Sequence, residues 1–496
     1  MKKTALPCLL LALLAAAGTA LTACGEASAP VEQPQNTASA ETETVPETED
    51  TYLHDNLPAG LDFGGTEIVI HTRGDETSAK EVSAEADGEV LDDAIYARNR
   101  SVEERLNVKI VPFLGSGWQN YSSDVTKLRS TIQAGDNTYQ IVSGWKCQIP
   151  ALAPQGCFHN LLDVEYLDIT QPWWNQPAVQ GMRLHNCLHF VTGDLSILTV
   201  LGCAQVMFVN DAIASNYDLE SIPDVIRAGN WTLDYMISTV KKVEDDLNGD
   251  SVMDKNDRFG AVLDRYNSAD AFYVSCDIHQ IEFDKDGNPF FAPAVERTSN
   301  MMDKLHLMYN FGAGTGTLVL EDMDLQQTMF ANGQALITNR ELDAARSRFR
   351  DMDDSYTIIP FPKLDDAQAD YRVDASNSAQ IWGIPVSNPA PEVSAAVMEA
   401  MACESHNKVI DVFYETCMQN KYARNEDTIE MLNLIRDKIY LDAELMYSTL
   451  FDSPNYVARE QVTAKTNNVA SWIAKKEKSI AKTIDKLITQ LDNLDD

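Results

Sequence analysis

The sequence lacks several patterns that would identify a common class of protein. Beyond residue 20 it has no apolar run of about 18 residues, the length that a membrane-spanning helix needs. It contains no Gly-x-Ser-x-Gly, no Gly-rich phosphate-binding loop ending in Lys, and no His-Glu-x-x-His. Basic residues are scarce, with 39 against 75 acidic ones and a net charge of −36. The negative electrostatic field of such a chain repels phosphate backbones, which argues against a nucleic-acid partner.

Cysteine is present, but its spacing predicts neither a disulfide framework nor a zinc site. Of nine cysteines, Cys8 and Cys24 lie in the N-terminal segment. The remaining seven are an odd number at irregular intervals. We predict mostly free, buried thiols, although the sequence does not exclude one bridge.

The N-terminus has the pattern of an export signal. Lys2 and Lys3 precede an apolar run from Leu6 to Ala20, and the segment ends in Leu-Thr-Ala-Cys-Gly at 21–25. This ending resembles the lipobox of bacterial lipoproteins, in which the cysteine is lipidated. We therefore predict a signal peptide over 1–23 and lipidation of Cys24, which anchors the exported chain to the outside of the cell membrane. The alternative is an ordinary signal peptide with an incidental cysteine.

The chain beyond the signal divides into a linker and a folded part. Residues 24–56 are rich in Ala, Glu, Thr, Pro and Gln and contain little that could form a core, which predicts a disordered acidic linker. The chain of 496 residues is too long for one compact core and suits two domains.

The start of the folded part alternates strands with helices. The predicted order is strand 66–71, helix 91–106, strand 108–111, helix 125–132 and strand 139–142. This alternation indicates a parallel sheet covered by helices. Ligands in such sheets lie beyond the carboxyl ends of the strands, here at 73–76 and 143–145.

Further elements follow at irregular intervals. Helices are predicted at 231–243, 301–309, 326–330, 393–403 and from Ile480 to Leu491, and strands at 335–337, 356–359 and 381–386.

One loop predicts a calcium site. Asp246, Asn248, Asp250, Asp254 and Asp257 stand at positions 1, 3, 5, 9 and 12 of a twelve-residue loop that resembles an EF-hand, in its dockerin variety. The carbonyl of Val252 would supply position 7. Ser251 replaces the usual Gly at position 6, and Asp257 is shorter than the usual Glu. We predict a structural Ca²⁺; the alternative is a solvated polar turn.

Taken in order, these pieces resemble the extracellular solute-binding lipoproteins of bacterial ABC importers, in the sugar-binding family 1 that includes the maltose-binding proteins. Besides the lipobox and linker, the resemblance rests on 68–75, 88–100 (GEVLDDAIYARNR), 103–108 (EERLNV), 230–234 (NWTLD), the calcium-like loop with 257–260 (DRFG), 330–335 (FANGQA) and 359–363 (IPFPK).

The family implies a fold and a division of the chain. The expected fold class is α/β, a two-lobe periplasmic-binding-protein fold (type II) with a hinge between the lobes and a ligand cleft. Lobe 1 would comprise 57–192 plus about 378–440, and lobe 2 would comprise 193–377 plus about 441–496. The crossovers would be 193–196 and 376–382.

The resemblance also implies ligand-binding residues. Sugar sites combine flat aromatic rings with charged and amide groups. The residues whose positions match the cleft of relatives, or which offer such groups nearby, are Asp75, Trp145, Trp173, Trp174, Asp194, Arg340 and Trp382. For each, the competing interpretation is a core aromatic or a solvated surface charge. Trp118 ranks lower than these four tryptophans, and Trp231 and Trp472 are interpreted as packing residues on helices.

The function that follows is binding without catalysis. We expect a monomeric, membrane-anchored receptor that captures a carbohydrate, such as an oligosaccharide, and delivers it to the permease subunits of an ABC transporter. The rivals are a secreted glycoside hydrolase, which would need two carboxylates about 5 to 10 Å apart, and a receptor for a non-sugar solute. A surface adhesion protein is a weaker rival, because dockerins carry two calcium loops and this sequence has one.

Overall fold

The computed structural model describes residues 52–309, 314–417 and 426–495. The predicted signal peptide, Cys24 and the linker up to residue 51 lie outside the described residues. Residues 52–56 were predicted as linker but are held against the folded body: Tyr52 Oη donates to Glu404 (2.7 Å), and Arg105 binds Asp55 (2.5 Å). The described body thus includes the last five residues of the predicted linker.

The strands of the described chain form two main sheets. They are β1 (Thr66–Thr72), β2 (Val108–Leu114), β3 (Ile141–Trp145), β4 (Gln205–Asn210), β5 (Phe259–Asp264), β6 (Ile281–Phe283), β7 (Pro289–Phe291), β8 (Thr317–Leu320), β9 (Ala335–Glu341), β10 (Tyr356–Ile359), β11 (Val373–Asp374), β12 (Gln380–Gly383) and β13 (Ile439–Tyr440).

Helices cover these sheets. They are α1 (Glu76–Ser83), α2 (Val90–Leu106), α3 (Tyr121–Gln133), α4 (Gln176–Gly181), α5 (Asp211–Asn216), α6 (Ile222–Arg227), α7 (Leu233–Val240), α8 (Arg265–Ser275), α9 (Val295–Tyr309), α10 (Met323–Ala331), α11 (Ala344–Ser347), α12 (Pro391–Lys408), α13 (Ile410–Cys417), α14 (Glu426–Asp437), α15 (Ala443–Met446), α16 (Val457–Ala464) and α17 (Val469–Asp495). None of the helices in the described ranges is both long and apolar enough to span a bilayer.

The first sheet has the order β12-β3-β1-β2. Its strands β1, β2 and β3 are parallel, as the alternation of strands and helices predicted, and β12 runs antiparallel to β3 with Gln380 opposite Trp145. Helices α2 and α12 pack against each other beside this sheet. The predicted strand at 381–386 ends at Gly383, two residues before Pro385, which has no N–H to continue the ladder.

The second sheet has the order β10-β4-β9-β5-β8. Strands β5, β8 and β9 are parallel, whereas β4 runs antiparallel to both β9 and β10. The carboxyl ends of β5, β8 and β9 therefore meet at one edge, which Asp264, Leu320 and Glu341 mark. Helix α7 begins at Leu233 rather than at the predicted Trp231, because the Thr232 side chain accepts the N–H of Tyr235 and caps it.

Candidate ligand-binding site

The chain between β11 and β12 connects the edges of the two sheets. We call residues 376–378 the hinge segment. Ser376 Oγ donates to Glu341 Oε1 at the end of β9 (2.7 Å), and a guanidinium N–H of Arg73, just after β1, donates to the Ser378 carbonyl. The carboxyl ends of β1 and β9 thus both border the hinge segment. In α/β sheets this is the edge at which ligands bind.

An aromatic cluster lies at the first-sheet edge. The Trp145 ring is 5.8 Å from the Trp118 ring and 6.0 Å from the Tyr121 ring, centroid to centroid, and the Arg73 guanidinium lies 4.9 Å over Trp145. Trp118 is 57% exposed, whereas Trp145 is 5% exposed. Trp118 is therefore the ring that offers a face to a ligand, and Trp145 supports it from beneath.

Trp118, which the sequence places below the other candidate tryptophans, lies against Trp145 at the same edge of the sheet. Trp118 begins a short 3-10 turn four residues after β2 ends at Leu114. Strand β2 is parallel to β1, so its carboxyl end lies at the same edge of the sheet. Applying the carboxyl-end rule to β2 as well as to β1 and β3 would have identified this tryptophan.

Asp75 orients the neighbouring arginine. Its carboxylate accepts bonds from Arg73 Nε (2.9 Å) and from the backbone N–H of Ser78 (3.0 Å), which it caps at the start of α1. Burial opposes ionisation of Asp75, but the Arg73 charge and the Ser78 N–H hold its pKa below the ordinary value. Asp75 thus stays ionised and fixes Arg73 between Trp145 and the hinge segment.

Arg340 lies at the second-sheet edge, next to the last residue of β9. Its Nη1 contacts the thioether sulfur of Met323 (2.9 Å) at the start of α10, and its buried Nε has no hydrogen-bond partner among the described residues. Tyr266, in the first turn of α8, is 37% exposed at the same edge. Arg340 therefore has a donor without a protein partner at the position that the resemblance assigned to it.

A second ion pair connects this edge to the hinge segment. Arg459 binds Asp270 with Nε to Oδ1 at 3.0 Å and lies over the rings of Tyr456 (4.8 Å) and Tyr266 (5.7 Å). Burial raises the pKa of Asp270 to about 7, against the opposing charge of Arg459. Asn377 Nδ2 of the hinge segment donates to the Tyr456 hydroxyl (3.4 Å).

Trp173, Trp174 and Asp194 gather in a different place, around a cavity of about 260 Å³. Both tryptophans are 1% exposed, and their indole N–H groups donate to the two oxygens of Glu399 at 3.0 and 2.9 Å. Burial raises the pKa of Glu399 to about 8, against these donors. The rings are thus enclosed around a carboxylate, and little of either ring is open to the cavity.

The side chains of Asp194 and Trp382 both form hydrogen bonds with other side chains of the protein. Asp194 accepts from Arg436 Nη2 (2.9 Å) and lies 2.6 Å from His406 Nδ1. Trp382 is 0% exposed and donates its indole N–H to Ser196 Oγ (2.7 Å). No face of the Trp382 ring is left for a ligand, and the Asp194 carboxylate is already paired.

The calcium-like loop is turned as its sequence pattern requires. Ser251 has φ +64°, the left-handed conformation that Gly normally provides at position 6. The Asp246 carboxylate accepts the backbone N–H groups of Gly249 (2.7 Å) and Ser251 (2.8 Å). Asp257 is fully buried, and its carboxylate accepts the backbone N–H groups of Leu247 (3.0 Å) and Asp254 (2.8 Å). No cluster of three His, Cys, Asp or Glu that could hold a metal occurs in the described ranges. Calcium binding stays a prediction.

The cysteines of the described chain are mostly free, buried thiols, as predicted. The free and buried ones are Cys147, Cys157, Cys203, Cys276, Cys403 and Cys417, whereas Cys187 is half-buried.

Comparison with known proteins identifies the fold. No protein-family model and no curated protein sequence matches the chain. Among solved structures, the galacto-N-biose/lacto-N-biose I-binding protein of an ABC transporter from Bifidobacterium longum superposes with a TM-score of 0.58 at 10% identity, covering 85% of this chain and 98% of that one.

Two further structures agree. A cyclo/maltodextrin-binding protein superposes with a TM-score of 0.53 at 9% identity, covering 86% of this chain and 97% of that one. A family 1 extracellular solute-binding protein from Alicyclobacillus acidocaldarius superposes with a TM-score of 0.52 at 11% identity, covering 85% of this chain and 98% of that one. Identities this low establish the fold alone. The chain therefore has the two-lobe α/β periplasmic-binding-protein fold of these solved structures, as the resemblance in its sequence predicted.

Proposed function

We propose that this chain is the solute-binding component of an ABC importer and that it captures a carbohydrate between its two sheet edges. The observation that carries the proposal is the exposed Trp118 ring, which packs edge to face against Trp145 at the carboxyl edge of the first sheet, where the Arg73 guanidinium also lies over Trp145. Sugars present apolar C–H faces that stack on such rings and hydroxyls that bind nearby charged groups. The neighbours described as complexes with lacto-N-biose and maltotetraose support this ligand class.

Binding would act through the hinge segment. The segment bonds to Arg73 at one edge and Glu341 at the other. A ligand that contacts both edges stabilises the closed arrangement by the additional contacts it makes there. Opening then removes these contacts and releases the ligand. No covalent bond of the ligand is formed or broken.

The first test is binding of glycans to the chain without its signal peptide. A thermal-shift screen of neutral and acidic oligosaccharides, followed by calorimetry, should identify at least one stabilising ligand. A ligand at 100 times its Kd stabilises the folded state by about 2.7 kcal/mol. Chromatography of the incubated glycan should show no new product. Cleavage would instead support the glycoside hydrolase, and stabilisation by amino acids or peptides alone would support a non-sugar receptor.

The second test concerns location and partners. We propose lipidation at Cys24, an extracytoplasmic position at the cell membrane, a monomeric state and delivery to ABC permease subunits. Metabolic labelling with a fatty acid should mark the wild-type chain and not the Cys24→Ser variant. Light scattering should give one chain per particle. Unlabelled wild-type protein released into the medium would contradict the anchor without affecting the proposed ligand.

A further inference from the structure

Arg340 has more hydrogen-bond donors than the protein uses. A guanidinium carries five N–H donors, and a thioether sulfur is a weak acceptor. Nη1 of Arg340 contacts Met323 Sδ (2.9 Å), and the buried Nε has no partner in the described part of the chain. A partly desolvated guanidinium with unused donors is costly, and an anion relieves that cost best.

Other cations near the two sheet edges each have a carboxylate. The pairs are Arg73 with Asp75, Lys146 with Asp374, Arg265 with Glu321 and Arg459 with Asp270. Arg340 makes no such ion pair with any described residue, although the charge of the adjacent Glu341 acts on it. Glu341 instead accepts a hydrogen bond from Ser376 Oγ (2.7 Å), and burial raises its pKa. In a chain with 75 acidic and 39 basic residues, a cation at this edge without a directly bonded carboxylate departs from the local pattern.

The surroundings of Arg340 suit a sugar ring. Met323 is 43% exposed and Tyr266 is 37% exposed, so an apolar surface adjoins the guanidinium. The nearby helix N-termini are already capped, because Asp264 accepts two backbone N–H groups of α8 and Asp322 accepts two of α10. The positive charge that remains for a ligand here is therefore that of the Arg340 guanidinium and not that of a helix N-terminus.

We propose that the carbohydrate ligand carries an oxyanion, either a uronate carboxylate or a sulfate ester, and that the Arg340 guanidinium binds it. This inference rests on the proposed carbohydrate-binding function. Two parallel N–H···O bonds to an anion are roughly twice as strong as bonds to neutral hydroxyls. The net charge of −36 does not attract anions over long distances, so the preference must arise from this contact.

Calorimetry on the chain without its signal peptide tests the inference. The probes are trigalacturonate and a chondroitin sulfate disaccharide, each paired with a neutral counterpart, the methyl ester and the desulfated disaccharide. At least one charged probe should bind tenfold or more tightly than its counterpart. Arg340→Gln should remove this difference, and Arg340→Lys should retain part of it. The control Arg346→Gln removes an equal charge from an Asp343 pair on α11 and should change affinity less than threefold.

The outcomes separate the inference from the function on which it rests. Equal affinity for the charged and neutral probes overturns the inference while the carbohydrate-binding function stands. An Arg340→Gln variant that loses both forms equally, with an unchanged circular dichroism spectrum, shows that Arg340 binds hydroxyls and overturns it too. If none of the four probes binds while maltotriose does, the anion preference is rejected. If no oligosaccharide binds at all, both proposals fail.

Discussion

Trp118 covers Trp145: the two rings meet edge to face at 5.8 Å and 77°, with the outer ring 57% exposed and the inner one 5%. We therefore expect Trp118 to act in ligand binding and Trp145 in packing. An exposed aromatic ring can stack on a ligand without contributing much to the core. A buried one stabilises the fold whether or not ligand is present.

Substituting each tryptophan separately should reveal this division. Trp145→Ala should lower the free energy of unfolding by about 3–5 kcal/mol, the usual range for a buried Trp. Trp118→Ala should lower it by less than about 1 kcal/mol, because surface substitutions seldom cost more, yet weaken glycan binding at least tenfold. Chemical denaturation and calorimetry measure the two effects, and Trp118→Phe serves as the conservative control. Unchanged affinity in Trp118→Ala would show that the ligand lies elsewhere.

Asp194 should behave as a structural residue. Its side chain is 9% exposed and pairs with Arg436. Removing one partner of a fully buried pair leaves the other charge uncompensated and costs about 3–5 kcal/mol. Because the Arg436 side chain is 22% exposed, we expect Asp194→Ala to lose stability toward the lower end of that range in denaturant unfolding. The double variant with Arg436→Leu should recover part of the loss. A variant of wild-type stability that has lost glycan binding would instead support the ligand role predicted from the sequence.

The stability of the protein should fall as pH rises above neutrality. Burial disfavours the charged form of His279, but hydrogen bonds to Asp277 and Asp442, with the charge of Glu444, raise its pKa to about 10. A His pKa above its unfolded value of about 6.5 adds stability that is complete below that pH and is lost as pH approaches 10. Burial also raises the pKa of Glu444, to about 7, and this has the same sign.

Denaturant unfolding between pH 6.5 and 10 measures this effect. His279→Gln should flatten the decline of stability with pH, whereas His306→Gln, which changes an exposed histidine on α9, should leave it as in the wild type. An identical slope in His279→Gln and wild type would assign the pH dependence to other groups.

The sequence predicted the strands and helices better than it predicted the contacts of the candidate site residues. The β-branched segment 356–359 coincides with β10, and the alternation over 66–142 correctly implied parallel strands. Hydrophobic periodicity reports which residues of a local element are buried. It does not report which distant loop covers a strand end. Trp145 is buried because Trp118 and Tyr121, more than 20 residues earlier, lie against it.

The same limit applies to Trp173 and Trp174. Their indole groups are enclosed around Glu399, more than 200 residues later on α12. No local pattern around either tryptophan signals that partner. Arg340 lies at a strand end, as its sequence position predicted. That it lacks an ion pair among the described residues is visible only from the structure, where the neighbouring cations are each paired.

Calcium should stabilise the protein through the loop 246–257. The loop backbone already takes the required turn at Ser251, and Asp246 and Asp250 keep further lone pairs after accepting backbone N–H groups. We expect millimolar Ca²⁺ to raise the melting temperature and EDTA to lower it. Asp250→Ala should abolish the shift with little change in the metal-free protein, because Asp250 is exposed. Asp286→Ala, at another exposed acidic turn, is the control. A calcium-independent melting temperature would contradict the prediction.

Two positions of this loop should respond oppositely to exchange between glycine and a larger residue. Ser251 has φ +64°, where a side chain is strained, so Ser251→Gly should stabilise the protein by about 0.5–1 kcal/mol. Gly249 has φ +74° and open space where a Cβ would lie, so Gly249→Ala should destabilise the protein by about 1 kcal/mol through backbone strain alone. Denaturant unfolding in EDTA measures both without metal. Shifts of opposite sign and similar size would show that the backbone conformation is the cause. If Ser251→Gly were destabilising, the Ser251 side chain would have to make a compensating contact in solution.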